Sequence, residues 1–202
     1  MNQQHTNHKG FTMKNLVTIG IFTALFFVFE MLGAFPFMLT PATMFFMSFG
    51  IALLCGPIIL LLFAKVPKRG TITILGILNG IIWFMMGMHW GMDVGYVVMA
   101  VIADIVAGSK QYRSKLMNTI AYALFCLGPT GSFVIYFIDP SGWSATMLQN
   151  GTSQEMISAI TASAATWVLP VILIGTLLVG CFSGWLGSKL LHKQFERAGI
   201  TQ

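Results

Sequence analysis

The sequence predicts an all-α integral membrane protein, a bundle of six transmembrane helices with both chain ends on the cytoplasmic side. Three observations carry this. Of 202 residues, 56% are hydrophobic and only 8% are charged, whereas soluble domains carry about 25% charged residues. So few charges cannot cover a soluble surface. The apolar residues fall into six runs, each near the roughly 20 residues a helix needs to cross hydrocarbon. All eleven Lys and Arg fall in the N-terminal leader, in two of the five connections, or in the tail. A six-helix chain with both ends inside produces that alternation under the positive-inside rule.

Residues 1–15 form a polar cytoplasmic leader, in which His5 and His8 read as solvated tail residues. No A-x-A-like cleavage site follows the first apolar run, so it reads as an uncleaved span. The membrane domain covers 16–188. Its runs are Leu16 to Phe35, Ala42 to Ala64, Thr71 to Met88, Met92 to Gly108, Leu116 to Ile138 and Ala165 to Ser188. None shows the period-2 alternation of a barrel strand. Lys65, Lys68 and Arg69 separate runs two and three, and Lys110, Arg113 and Lys115 separate runs four and five. Residues 189–202 are a basic cytoplasmic tail. The opposite face carries acids and no base, so the net charge of +5 points to anionic lipid or partner subunits inside rather than to nucleic acid.

On the external side, "DPSGWSATMLQNGTSQEMISAITASA" opens with turn residues. Ser153 followed by Glu155 and an apolar-periodic stretch predicts a short helix from about Ser153 to Ala162. Cys55, Cys126 and Cys181 sit singly inside apolar runs and read as small buried hydrophobes. Small residues recur four apart at Gly20 and Ala24, Gly76 and Gly80, and Gly180 and Gly184, a spacing that lets helices approach closely in lipid.

The chain has no Walker motif, no G-x-G-x-x-G after a strand, no HExxH and no GxSxG. It carries no ATPase of its own and no recognisable hydrolytic centre. Two acids lie within spans. Asp104 is a turn from the basic Lys110–Lys115 loop and is expected to pair with a cation there or with a partner subunit. Glu30 lies near the external end of helix one, where it can border an outward-opening pocket.

The stretch "FMMGMHWGMDVGY" joins the two short runs. It places His89, Trp90, Asp93 and Tyr96 among methionines and glycines at the outer lip of the bundle. Trp90 and Tyr96 also fit interfacial aromatics, His89 a solvated loop residue, and Asp93 a helix cap. Together with Met86, Phe35, Met38, Met44, Trp143, Trp167 and the polar break "GPTGS" they describe an apolar, aromatic cavity suited to a flat small molecule.

The stretches "NLVTIGIFTALFFVFEMLG", "KVPKRGTITILGILNGIIWFMMGMHW", "ATWVLPVILIGTLLVG" and "LGSKLLHKQFERAGI" resemble the S components of energy-coupling factor (ECF) transporters, in particular the Trep_Strep (MptD-like) group. The resemblance runs nearly end to end. It implies a substrate-binding subunit that captures a vitamin or micronutrient outside the cell. It implies as partners a membrane T subunit and two ABC-type ATPases, which use the ATP, and delivery by tipping of the S component. It also implies that the small pair on helix one, here Gly20 and Ala24 where the family shows AxxxA, contacts the T subunit. Haem, or another tetrapyrrole such as cobalamin, is the expected substrate. The warrant is His89 as an axial metal ligand beside Met85, Met86, Met88 and Met92. A stand-alone ion-coupled secondary transporter of a small aromatic nutrient is the alternative.

Overall fold

The structure, a computed structural model, describes residues 10–192. His5 and His8, and three of the eleven basic residues (Lys9, Lys193 and Arg197), lie outside the described residues. Helix α1 (Met13–Met38) begins where the Thr12 hydroxyl accepts the Asn15 N–H at 3.3 Å. A 3-10 turn (Pro41–Phe46) leads into α2 (Met47–Leu54) and α3 (Gly56–Lys65). Then follow α4 (Thr71–Met85), α5 (Trp90–Ser109) and α6 (Lys115–Phe125). A 3-10 turn (Gly128–Thr130) joins α6 to α7 (Gly131–Ile138), and α8 (Pro140–Gln149), α9 (Gln154–Ala162) and α10 (Val168–Leu190) complete the chain. The described residues are helical or connecting, with no strand among them.

The second apolar run is not one helix. It bends by 45° between α2 and α3, at Cys55, Gly56 and Pro57. Pro57 has no N–H to give to the Leu53 carbonyl four residues back. A carbonyl freed in an apolar interior needs another donor. Ser183 of α10 supplies it, its Oγ donating to Leu53 O at 2.7 Å, and the Tyr122 hydroxyl of α6 donates to Ala52 O at 2.6 Å. The bend is thus held by two other helices. The fifth run breaks likewise at Gly128–Thr130. The Gly128 carbonyl there lies so close to Gly95 of α5 that a side chain would collide with it.

Among the described residues, four segments are long and apolar enough to cross a membrane: α1, α5, the α6–α7 segment and α10. The bent α2–α3 pair makes up to five. Helix α4 has 15 residues, roughly 22 Å of rise, which is short for a span.

The basic connections gather at one end of the bundle. Lys68 Nζ donates to Gly10 O at 3.0 Å, and the Asp104 carboxylate accepts from Gly70 N–H at 2.6 Å and from the Tyr112 hydroxyl at 2.8 Å. This corrects the expected ion pair of Asp104 with the Lys110–Lys115 loop. Its partners are a backbone amide and a phenol, which dock the α5–α6 turn onto the start of α4. Gln111 and Tyr112 hold left-handed backbone there, with φ of 52° and 61°. The Tyr112 hydrogen bond and its ring packing on Phe63, centroids 5.5 Å apart, keep the turn in place.

Two of the three small pairs are consumed inside the bundle. A Cβ on Gly76 would run into Ala100 of α5, and one on Gly80 would sit 3.1 Å from the Asp93 carbonyl. A Cβ on Gly180 would sit 2.9 Å from Ala123 Cα, and one on Gly184 2.9 Å from Thr119. Gly20 differs: nothing lies within 4 Å of a Cβ there, and both Gly20 and Ala24 are exposed. The cysteine expectation holds for Cys55 and Cys126, which are buried, but Cys181 is exposed. It lies on the outward face of α10 with Leu178, Phe182 and Trp185.

Candidate functional site

At the end opposite the basic connections, Gly87 (φ 77°) turns the chain out of α4. His89 follows in extended backbone and is the N-cap of α5, its Nδ1 accepting the Gly91 N–H at 3.0 Å. Asp93, which fits a helix cap by sequence, lies in the first turn of α5 and does not serve as its cap. The imidazole lies against Trp90 (centroids 5.2 Å) and near-parallel to Trp143 (6.1 Å, 26°). Trp143 comes from α8, in the stretch expected to be turn. Asp139 there accepts the Gly142 N–H at 2.9 Å and Pro140 occupies the first helical position, a cap-then-proline start legible in "DPSG". The Trp143 indole N–H donates to Ser132 Oγ at 3.0 Å, and Asn150 Nδ2 donates to Met88 O at 3.1 Å. Helix α8 therefore clamps both the α4–α5 turn and the α7 segment. Helix α9 begins at the Ser153 cap as expected, its hydroxyl accepting from Met156 N–H at 3.2 Å.

Burial lowers the His89 pKa below its ordinary value, so the ring is neutral. With Nδ1 accepting, its proton is on Nε2. Because the folded-state pKa lies below the unfolded one, His89 contributes stability above pH ~6.5 that is lost as pH falls. His89→Ala is expected to cost about 1–2 kcal/mol through the lost cap and to flatten the fall in melting temperature between pH 7 and pH 5. An unchanged acid slope in the variant would show that another group sets it.

Deeper in the bundle stands a polar cluster that the sequence did not assemble. Glu30 of α1 is fully buried. Its carboxylate accepts from Asn79 Nδ2 at 2.9 Å and Trp83 Nε1 at 3.0 Å, both on α4, and from the Tyr96 hydroxyl on α5. Three helices thus converge on one carboxylate. Asn79 Oδ1 is buried with no hydrogen-bond partner. Glu30 faces this interior rather than an outward-opening lip. Tyr96 packs edge-on against Phe26 at 6.5 Å, inside the bundle and not in an interfacial belt.

The remaining expected residues are spread over the surface. Met86, Trp90, Phe35 and Trp167 are exposed, and Met38 is half-buried. Trp167 stacks on Phe46 at 6.4 Å. Asp93 is half-buried and lines a cavity of about 350 Å³ between α4 and α5. None of the other named residues expected at the substrate lines that cavity. The "GPTGS" segment is packed into the bundle, where a side chain on Gly131 would meet the Gly91 carbonyl. Among the described residues no three His, Cys, Asp or Glu side chains converge as a metal-holding group.

Helical segments of spanning length, a carboxylate-centred polar core and one strongly basic end define a multi-pass integral membrane protein. The model of a hypothetical bacterial integral membrane protein family, Trep_Strep, matches residues 13–197, and the chain belongs to that family. No curated protein and no solved structure matches it.

Proposed function

We propose that this protein is the substrate-binding S component of an ATP-driven ECF importer in a bacterial plasma membrane. It takes up a vitamin or similar small nutrient at the face away from the basic connections. In this reading the bent α2–α3 pair and the short α4 complete six spans, with both ends cytoplasmic. A T subunit and two ABC-type ATPases supply the energy. The observation that carries the reading is the free small pair on α1. The two glycine pairs at this spacing named above, Gly76 with Gly80 and Gly180 with Gly184, are used inside the chain, whereas Gly20 and Ala24 face outward. Thr23 is buried and Gly33 packs against Gly50, so neither competes with them for an outside partner. A flat, close-approach strip on an otherwise Val- and Leu-covered helix is what a second membrane helix needs.

For the substrate, His89 and the aromatic residues around it are the proposed contacts. Axial ligation of haem or cobalamin would require His89 to free Nδ1 from Gly91 or shed its Nε2 proton. A metal-free flat ligand stacked on the exposed face of Trp90 needs neither. The geometry thus favours a metal-free aromatic nutrient over the tetrapyrrole. The test is the absorption spectrum of the protein purified in mild detergent, with mass spectrometry of what it carries. A colourless protein holding a metal-free aromatic is expected; a Soret band or a bound corrinoid would reverse the preference and make His89 the ligand to mutate.

The buried Glu30 cluster favours one second reading, an ion-coupled secondary transporter, since an intramembrane acid is a common ion or proton relay. Such a protein would move its substrate when reconstituted alone with an ion gradient.

A further inference from the structure

Two basic connections, α3–α4 (66–70) and α5–α6 (110–114), are distant in sequence, and the fold fastens them together. The Asp104 carboxylate on α5 holds the Gly70 N–H of the first and the Tyr112 hydroxyl of the second. The Tyr112 carbonyl in turn accepts from Asn118 Nδ2 at 2.9 Å, which ties the second connection to α6. Arg69 lies along the last turn of α5, where a Cβ on Gly108 would sit 3.3 Å from its Cγ and its Nε. Lys110 is two residues beyond Gly108 and Arg113 five. Arg69, Lys110 and Arg113 are all exposed.

Like charges gathered in this way repel, the more so at a low-dielectric boundary. The described residues supply no acid to offset them. Asp104 stands at this end, but both its oxygens are taken by Gly70 and Tyr112. Glu30 is engaged inside the bundle, and Asp93, its buried oxygens without a partner, lies with Asp139 and Glu155 toward the far end. The counter-charge therefore comes from outside, and depth decides what carries it. Each connection is five residues long, too short to leave the headgroup layer. Gly184 of α10 packs on Thr119, one turn into α6, so Trp185 and Lys189 flank the level of Lys115. Trp185 is half-exposed, and Lys189 Nζ lies 3.8 Å from its ring centroid. Trp and Lys paired at a helix end mark the membrane–water interface. Apolar surface begins directly beside the cations, with Ile105 on α5 and Leu116 on α6 both exposed.

We propose that Arg69, Lys110 and Arg113 form a headgroup site for an anionic phospholipid. The phosphate sits on the three cations, and an acyl chain runs along the exposed surface of α5 and α6. Arginine suits phosphate because its planar fork presents parallel N–H donors. Choline and ethanolamine headgroups carry the same phosphate together with a cation of their own, which the three side chains repel. Selectivity thus rests on net negative charge. All basic loops attract anionic lipid diffusely; the Asp104 latch makes a defined site by fixing the two connections against each other. The site is independent of the importer reading and stands or falls separately from it.

The test is native mass spectrometry of the intact protein released from nanodiscs of equal parts phosphatidylglycerol, phosphatidylcholine and phosphatidylethanolamine. Wild type is expected to retain phosphatidylglycerol several-fold over the other two. Arg69→Gln with Arg113→Gln is expected to lose that preference. Lys14→Gln with Lys189→Gln removes as much charge from the same end but outside the site, and is expected to keep it. Asp104→Ala separates a site from a diffuse field: it adds to the net positive charge yet frees the two connections, so the preference is expected to fall. Tyr112→Phe loosens the latch with charge and ring retained, and gives the same reading if Asp104→Ala does not fold; a monodisperse profile certifies each variant. Equal retention of the three lipids by wild type would overturn the site. Equal losses in the two double variants, or a preference that holds or rises in the folded latch variants, would overturn it in favour of diffuse attraction. Displacement of the bound lipid by millimolar inorganic phosphate would assign the cations to a soluble anion instead.

Discussion

Gly20→Leu or Ala24→Leu is expected to abolish uptake while leaving ligand binding and melting temperature at wild-type values. The reason is where the added side chain goes. On α1 at these positions it projects from the bundle, and at Gly20 nothing lies within 4 Å to meet it. The chain's own packing is therefore untouched, and only a partner brought against α1 would feel the extra atoms. Gly180→Leu is the contrasting control. There the new side chain meets Ala123 of the neighbouring helix, and overpacking of this kind costs about 1–3 kcal/mol or more, so binding and stability fall together. Binding by radioligand or calorimetry, uptake in cells and thermal unfolding in one detergent make the comparison. If the α1 variants lose binding in step with uptake, the division between a partner face and a ligand site is wrong.

Glu30→Ala is expected to be the most damaging single truncation in the bundle, costing about 3 kcal/mol. It leaves the Tyr96 hydroxyl, the Trp83 indole and the Asn79 amide as buried donors with nothing to accept them. Each such orphan costs about 1–3 kcal/mol in a protein interior, though donors in a membrane protein recover part of that by finding other partners. Glu30→Gln keeps one acceptor oxygen and sets a new N–H₂ among donors, so it should fall between Glu30→Ala and Tyr96→Phe, which removes only one donor. Thermal unfolding of the three variants gives the order. A Glu30→Ala protein as stable as wild type would mean that the cluster does not hold α1, α4 and α5 together. Loss of transport in Glu30→Gln with stability kept would favour the ion-coupled reading.

How much of this could be read from the chain depended on the range of the interaction. The membrane class, the apolar runs and the basic loops are carried by composition and charge order, which need no tertiary knowledge. The α9 start at Ser153 and the start of α8 at Asp139 and Pro140 are both local capping signals. The same capping logic predicts both starts, though the turn residues of "DPSG" also fit a plain turn. The bend at Pro57 was announced by a proline, yet its repair by Ser183 and Tyr122 joins residues up to 130 positions apart, which no local pattern encodes. The Glu30 cluster is similar: its partners lie 49, 53 and 66 residues away. His89 and Asp93 were singled out for their chemistry. Only the fold shows that one is engaged as a helix cap while the other is left without a partner.

The most direct test of the importer reading is affinity purification of the tagged protein from its native membranes in mild detergent, followed by reconstitution of what comes with it. The account predicts a T subunit and two ABC-type ATPases in the eluate, and uptake into proteoliposomes that requires ATP hydrolysis and fails with Gly20→Leu. A protein that purifies alone and accumulates its substrate on an ion gradient without ATP would contradict it.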